Sequence, residues 1–166
     1  MSLPLVELSD GWAVAVDGAV WAVGGTVTGY VTHRLRGEAF SNDTWLTRPR
    51  AGERPERYER WLRIKAWKSR LPEAGALFAN GFDKRRLRSR GVEHYEQFVV
   101  ETRRAEVTHW VVLSFAPWFF LWNPPWLALV MVAYAAVANL PCIAIQRYNR
   151  LRLQRVLARS RAKRSR

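Results

Sequence analysis

Cysteine is nearly absent: Cys142 stands alone, so no disulfide closes within the chain, and no Cys/His group falls at zinc-ligand spacing. The opening MSLPLVELSD has no basic stretch ahead of an apolar one, which argues against a secretory signal. Lys and Arg are missing from Met1 to His33 and again from Ala105 to Gln146. Ser114 has no elbow glycine pattern around it, so no serine nucleophile stands out.

These gaps matter because the chain as a whole is strongly basic. It has 166 residues and a formal net charge of +13, and all 27 Lys and Arg fall in two blocks, Arg34 to Arg104 and Arg147 to Arg166. Positive charge of this size points to nucleic acid or to an anionic membrane. The segregation favours the membrane and argues against nucleic acid as a partner. A nucleic-acid module has no use for a long uncharged stretch rich in Trp, Leu, Val and Ala, whereas the hydrocarbon core of a bilayer demands one.

The strongest apolar segment is Trp126 to Ile145, WLALVMVAYAAVANLPCIAI, with Pro141 and a single amide, Asn139, inside it. At about twenty residues it matches the ~30 Å of a bilayer core. Val107 to Trp122 precedes it, separated by Asn123-Pro124-Pro125, a helix stop and turn. Gly11 to Val31 is a third candidate, weakened by Asp17 and five glycines but followed directly by Arg34 and Arg36. The expectation is an all-α integral membrane protein, a single membrane-embedded domain over 1–166 with about three transmembrane helices near 11–32, 106–122 and 125–146. The positive-inside rule then places the N-terminus and Asn123–Pro125 outside, with 33–105 and the basic tail 147–166 cytoplasmic, in the cell membrane.

Within the cytoplasmic part, residues 53–71 mix Tyr58, Trp61, Leu62, Ile64, Trp67 and Leu71 with basic residues, the pattern of an amphipathic helix lying among anionic headgroups. Pro72 ends it, and a loop carrying Gly75, Gly81 and Phe82 follows. Residues 91–110 read as another helix continuous with the second span.

Chemistry is expected where polarity switches. ETRRAEVTHW places Glu101, Arg104, Glu106 and His109 at the mouth of the second span, with Glu106 and His109 on one helix face. A carboxylate that orients an imidazole is the usual arrangement for general-base activation of a hydroxyl. The alternative is a set of Glu–Arg and Glu–His pairs that merely neutralise one another. A metal site on Glu101, Glu106 and His109 lacks a fourth ligand, and no metal is expected. Beyond the third span come Arg147, Tyr148, Asn149 and Arg150, fit to hold phosphates. Glu101, Glu106 and His109 are expected to converge with Arg147–Arg150 on one cytoplasmic cavity.

RAEVTHW followed by NLPCIAIQRYNRLRL, with IKAWKSRLP and GFDKRRL upstream, resembles the glycosyl-4,4'-diaponeurosporenoate acyltransferase family over roughly 57–155, most strongly from Glu101 to Leu153. The chain departs from it in being richer in Arg and Trp and in carrying Asp17. The resemblance implies a membrane acyltransferase of staphyloxanthin-type carotenoid biosynthesis, moving a fatty acyl group to a sugar hydroxyl of a glycosylated lipid. Its co-substrate would be an acyl-CoA or acyl-carrier-protein thioester, with no other cofactor, and its partners that donor, the glycolipid acceptor and membrane lipids. The roles follow from residue chemistry at the matching positions, not from the family: His109 would be the base with Glu101 or Glu106 behind it, and Arg104, Arg147, Tyr148, Asn149 and Arg150 would bind substrate. The competing reading is a non-catalytic scaffold or tether that binds anionic lipid through its basic face.

Overall fold

The computed structural model describes residues 4–68 and 92–164, and these are helical, with no strand among them. The α-helices are α1 (Asp10–Arg34), α2 (Pro55–Trp61), α3 (Ile64–Trp67), α4 (Val92–Leu113) and α5 (Pro125–Arg164), joined by 3-10 helices at Gly37–Phe40 and Ala116–Leu121. The loop expected after Pro72, with Gly75, Gly81, Phe82 and the GFDKRRL segment, lies outside the described residues.

Among the described residues two helices, not three, are long and apolar enough to cross a membrane: Asp10–Arg34 and Pro125–Lys163. The span expected over 106–122 is not a continuous helix. At its end the Ser114 N–H donates to both Trp110 O (3.0 Å) and Val111 O (3.1 Å), the Ser114 hydroxyl donates to Val111 O at 2.6 Å, and the Phe115 N–H donates to Val112 O. The ladder thus tightens to i→i−3 bonds. Pro117, lacking an N–H, cannot restore the α pattern, and the chain continues as a 3-10 helix. The other departure is in the single amphipathic helix expected over 53–71, whose residues 69–71 lie outside the described ones: up to residue 68 it is two short helices. Arg63 takes a left-handed conformation (φ 46°) that breaks the run, and the Trp67 indole N–H donates to Leu62 O at 2.7 Å across the break. The expected third span and the described part of the basic tail, up to residue 164, form one helix, α5, which runs through Pro141.

The chain divides into two compact units, Met1–Arg34 with Thr108–Cys142, and Leu35–Val107 with Ile143–Arg166. The first inverts the pattern of a water-soluble domain. Its buried side chains include Asp17, Thr28, Thr32, Asn123 and Asn139, whereas Trp12, Val23, Trp118, Trp126, Leu129 and Val137 are exposed. Asp17 Oδ1 accepts from Trp122 Nε1 and from Asn123 Nδ2, both at 2.8 Å, so the turn residue Asn123 is buried. Thr32 and Thr108 hydroxyls meet at 2.8 Å, and Trp21 stacks on Phe119 with centroids 5.0 Å apart. Gly24 permits a close approach, since a Cβ there would come within 2.8 Å of the Phe115 ring. Asp17→Ala strands two donors, and we expect a loss of about 2–6 kcal/mol, one desolvation penalty per orphaned group. Asp17→Asn, which keeps the accepting oxygen, should lose less. Thermal midpoints of the two variants in mild detergent check the order.

The second unit is built around Ile64, Ile145 and Tyr148, with Tyr58, Trp67 and Ala144 packed against them. Arg103 ties down the segment after α1, donating to Asp43 at 2.6 Å and to the carbonyls of Phe40 and Ser41.

Candidate active site

In the second unit the i, i+3 spacing of Arg147 and Arg150 sets both guanidiniums on one face of α5. Glu106 of α4, fully buried, receives both: Arg147 Nε donates to Oε1 and Arg150 Nη2 to Oε2, each at 2.6 Å. Arg147 Nη1 reaches Glu53 Oε2 at 3.2 Å, its Nη2 donates to Leu46 O, and Arg150 donates to Thr47 O. Two carboxylates thus balance two guanidiniums, and the segment from Leu46 to Glu53 is held by side chains, not by regular structure. Tyr58 donates its hydroxyl to Glu53. Burial and that bond raise the Tyr58 phenol well above its ordinary range, so it remains a donor at neutral pH. Burial pushes the Glu53 carboxyl up, but the Arg50 N–H, Tyr58 and Arg147 outweigh it, and the net shift is downward.

Arg147 and Tyr58 also line a cleft of about 370 Å³ with Arg50, Arg57, Trp61 and Leu62. A neighbouring depression shares Arg57 and Trp61 with Glu56 and Arg60. Other residues expected at the site sit elsewhere in this unit. Glu101 pairs with Arg104 at 3.2 Å, and Arg104 also donates to Leu35 O at 2.7 Å and lies over the Phe40 ring. The Tyr148 hydroxyl donates to Glu59 at 2.7 Å, with Lys68 and Arg152 over its ring, and Asn149 accepts from Lys68 at 3.5 Å.

His109 belongs to the first unit. Its Nδ1 lies 3.0 Å from Asn139 Oδ1, and Asn139 Nδ2 donates to Ala135 O at 2.9 Å. The second bond decides the first. Turning the amide over would set Oδ1 against the Ala135 carbonyl oxygen, so the oxygen faces His109 and the proton sits on Nδ1. Neutral imidazole then carries its lone pair on Nε2, the tautomer a general base needs. Asn139 was legible in the sequence only as an isolated amide in an apolar run. Glu53, Arg50 and Arg57 gave no signal there, because nothing in a stretch of mixed charges says which one folds inward. Among the described residues, no group of three His, Cys, Asp or Glu side chains assembles as metal ligands.

The family described as glycosyl-4,4'-diaponeurosporenoate acyltransferase matches residues 42–159. Glycosyl-4,4'-diaponeurosporenoate acyltransferases of Staphylococcus aureus strains MRSA252, USA300 and NCTC 8325 / PS 47 are each 34% identical to this chain over 101 residues. The aligned part is 60% of this chain, and the chain spans 60% of the length of these curated relatives. No solved structure matches. The family match runs through Glu53, Glu106, His109, Asn139, Arg147 and Arg150, and with most of its length so covered the chain belongs to the glycosyl-4,4'-diaponeurosporenoate acyltransferase family.

Proposed function

We propose that this chain is a membrane acyltransferase that moves a fatty acyl group from an acyl thioester to a sugar hydroxyl of a glycosylated carotenoid. The His109–Asn139 pair carries the proposal, because it fixes an imidazole with its lone pair on Nε2. Nε2 takes the proton of the acceptor hydroxyl as that oxygen attacks the thioester carbonyl. The C–S bond then breaks, and the leaving thiolate takes the proton back from Nε2. Asn139 is a positioning residue in this scheme. Glu106, with both oxygens engaged by arginines, acts through Arg147 and Arg150 by holding them in place.

Membrane embedding is supported by the exposed apolar surfaces of α1 and α5 around buried polar groups, and by the two helices of sufficient length. Both substrates carry long apolar parts, so an enzyme set in lipid meets them where they reside. The confinement of Lys and Arg to two blocks supports a cytoplasmic C-terminus.

The test is direct. Full-length protein purified in mild detergent is given a fatty acyl thioester and a glycosylated carotenoid acid, and the lipids are read by mass spectrometry. The expected product gains the mass of one acyl ester. A folded wild-type protein that makes no ester with either a coenzyme A or a carrier-protein donor would sink the proposal in favour of a lipid-binding tether.

A further inference from the structure

Many arginines of the second unit are held by carboxylates. Arg103 holds Asp43, Arg104 pairs with Glu101, Arg147 and Arg150 share Glu106, Arg155 pairs with Glu56 and Arg161 with Glu96. Arg50 and Arg57 have no carboxylate partner among the described residues, and both line the 370 Å³ cleft. Gly52 helps to set Arg57 there. It turns the chain with φ +73°, and the place a Cβ would occupy is 3.4 Å from the Arg57 guanidinium. At the rim the Trp61 indole is 76% exposed, with Arg60 5.9 Å from its ring. Among the described residues the one carboxylate lining the cleft, Glu53, is already neutralised by Arg147.

Two guanidiniums without a carboxylate, beside an exposed indole that has Arg60 over its ring, fit a planar base carrying phosphates. Guanidinium groups bind phosphate oxygens in pairs, and an indole face accepts a base by stacking. The volume lies within the ordinary range of small-molecule sites, about 300–1,000 Å³. Of the two kinds of acyl thioester, the coenzyme A form bears a phosphorylated adenosine. The carrier-protein form presents a pantetheine arm without a base. We propose that the cleft between Arg50, Arg57 and Trp61 binds the phosphorylated adenosine end of an acyl-coenzyme A, which makes coenzyme A the donor carrier. The donor role rests on the acyltransferase proposal; binding of the nucleotide end does not.

The probe is adenosine 3',5'-bisphosphate, titrated calorimetrically into the full chain in neutral detergent. Binding is expected for the wild type, weakened about tenfold in Arg50→Gln and in Arg57→Gln, as for the loss of one charged hydrogen-bond donor set. Trp61→Ala should weaken it and Trp61→Phe restore most of it, with far-ultraviolet dichroism confirming that each variant is folded. Lipid phosphates share the chemistry, so a second arm adds phosphatidylglycerol to the detergent micelles. Bisphosphate binding that survives the lipid supports the assignment. No binding by folded wild type, binding indifferent to all three positions, or complete displacement by phosphatidylglycerol overturns it. Bisphosphate binding without ester formation would keep the cleft and remove the acyltransferase, whereas ester formed from a carrier-protein thioester alone would do the reverse.

Discussion

Replacing Glu106 with alanine should destabilise the second unit by about 3–5 kcal/mol, the cost of leaving buried guanidiniums without their counter-ion. Arg150 is 1% exposed and Arg147 8%, so neither can turn to water without unpacking its surroundings. Glu106→Gln keeps an oxygen and the side-chain volume but not the charge, and belongs between the wild type and alanine. The measurement is the thermal midpoint in detergent, and a Glu106→Ala midpoint equal to wild type would show that the cluster holds nothing together. Glu53 adds a pH dependence with a definite sign. Its folded carboxyl titrates below the usual 4.5, because the Arg50 N–H, Tyr58 and Arg147 outweigh the upward push of burial. Its contribution is therefore complete above that value and is lost as pH falls through the folded value. The midpoint should be flat near neutrality and drop in acid, and Glu53→Gln should flatten the acid limb.

His109→Ala should lower kcat for ester formation by about 10²–10⁴, the usual worth of a positioned general base. The KM for the thioester should change little, because His109 acts on the acceptor hydroxyl. Asn139→Leu tests the tautomer argument separately. It removes the acceptor for Nδ1–H without removing the imidazole, so kcat should fall by less than in His109→Ala. Single-turnover kinetics with the isolated variants distinguish these outcomes. Wild-type turnover in His109→Ala would defeat the assignment of the base.

The helical class and the two apolar helices were determined by the sequence alone. The absence of Lys and Arg over Met1–His33 and Ala105–Gln146 leaves long uncharged segments rich in apolar residues, whose backbone polarity a helix satisfies within itself. The family was equally legible, carried by RAEVTHW and NLPCIAIQRYNRLRL. Local rules also ended the reach of that information. Ser114 and Pro117 convert the expected second span to 3-10 turns, a competition between side-chain and backbone hydrogen bonds that apolar content does not register. Glu106, His109, Arg147 and Arg150 were legible as candidates, and Glu106 does meet both arginines, but their other partners depended on tertiary structure. Glu53 lies 94 positions from Arg147, and Asn139 lies 30 from His109, so neither pairing leaves a periodic trace. Which carboxylate meets which guanidinium is settled by burial: a charge withdrawn from water must find its counter-ion, and only packing determines which charges are withdrawn.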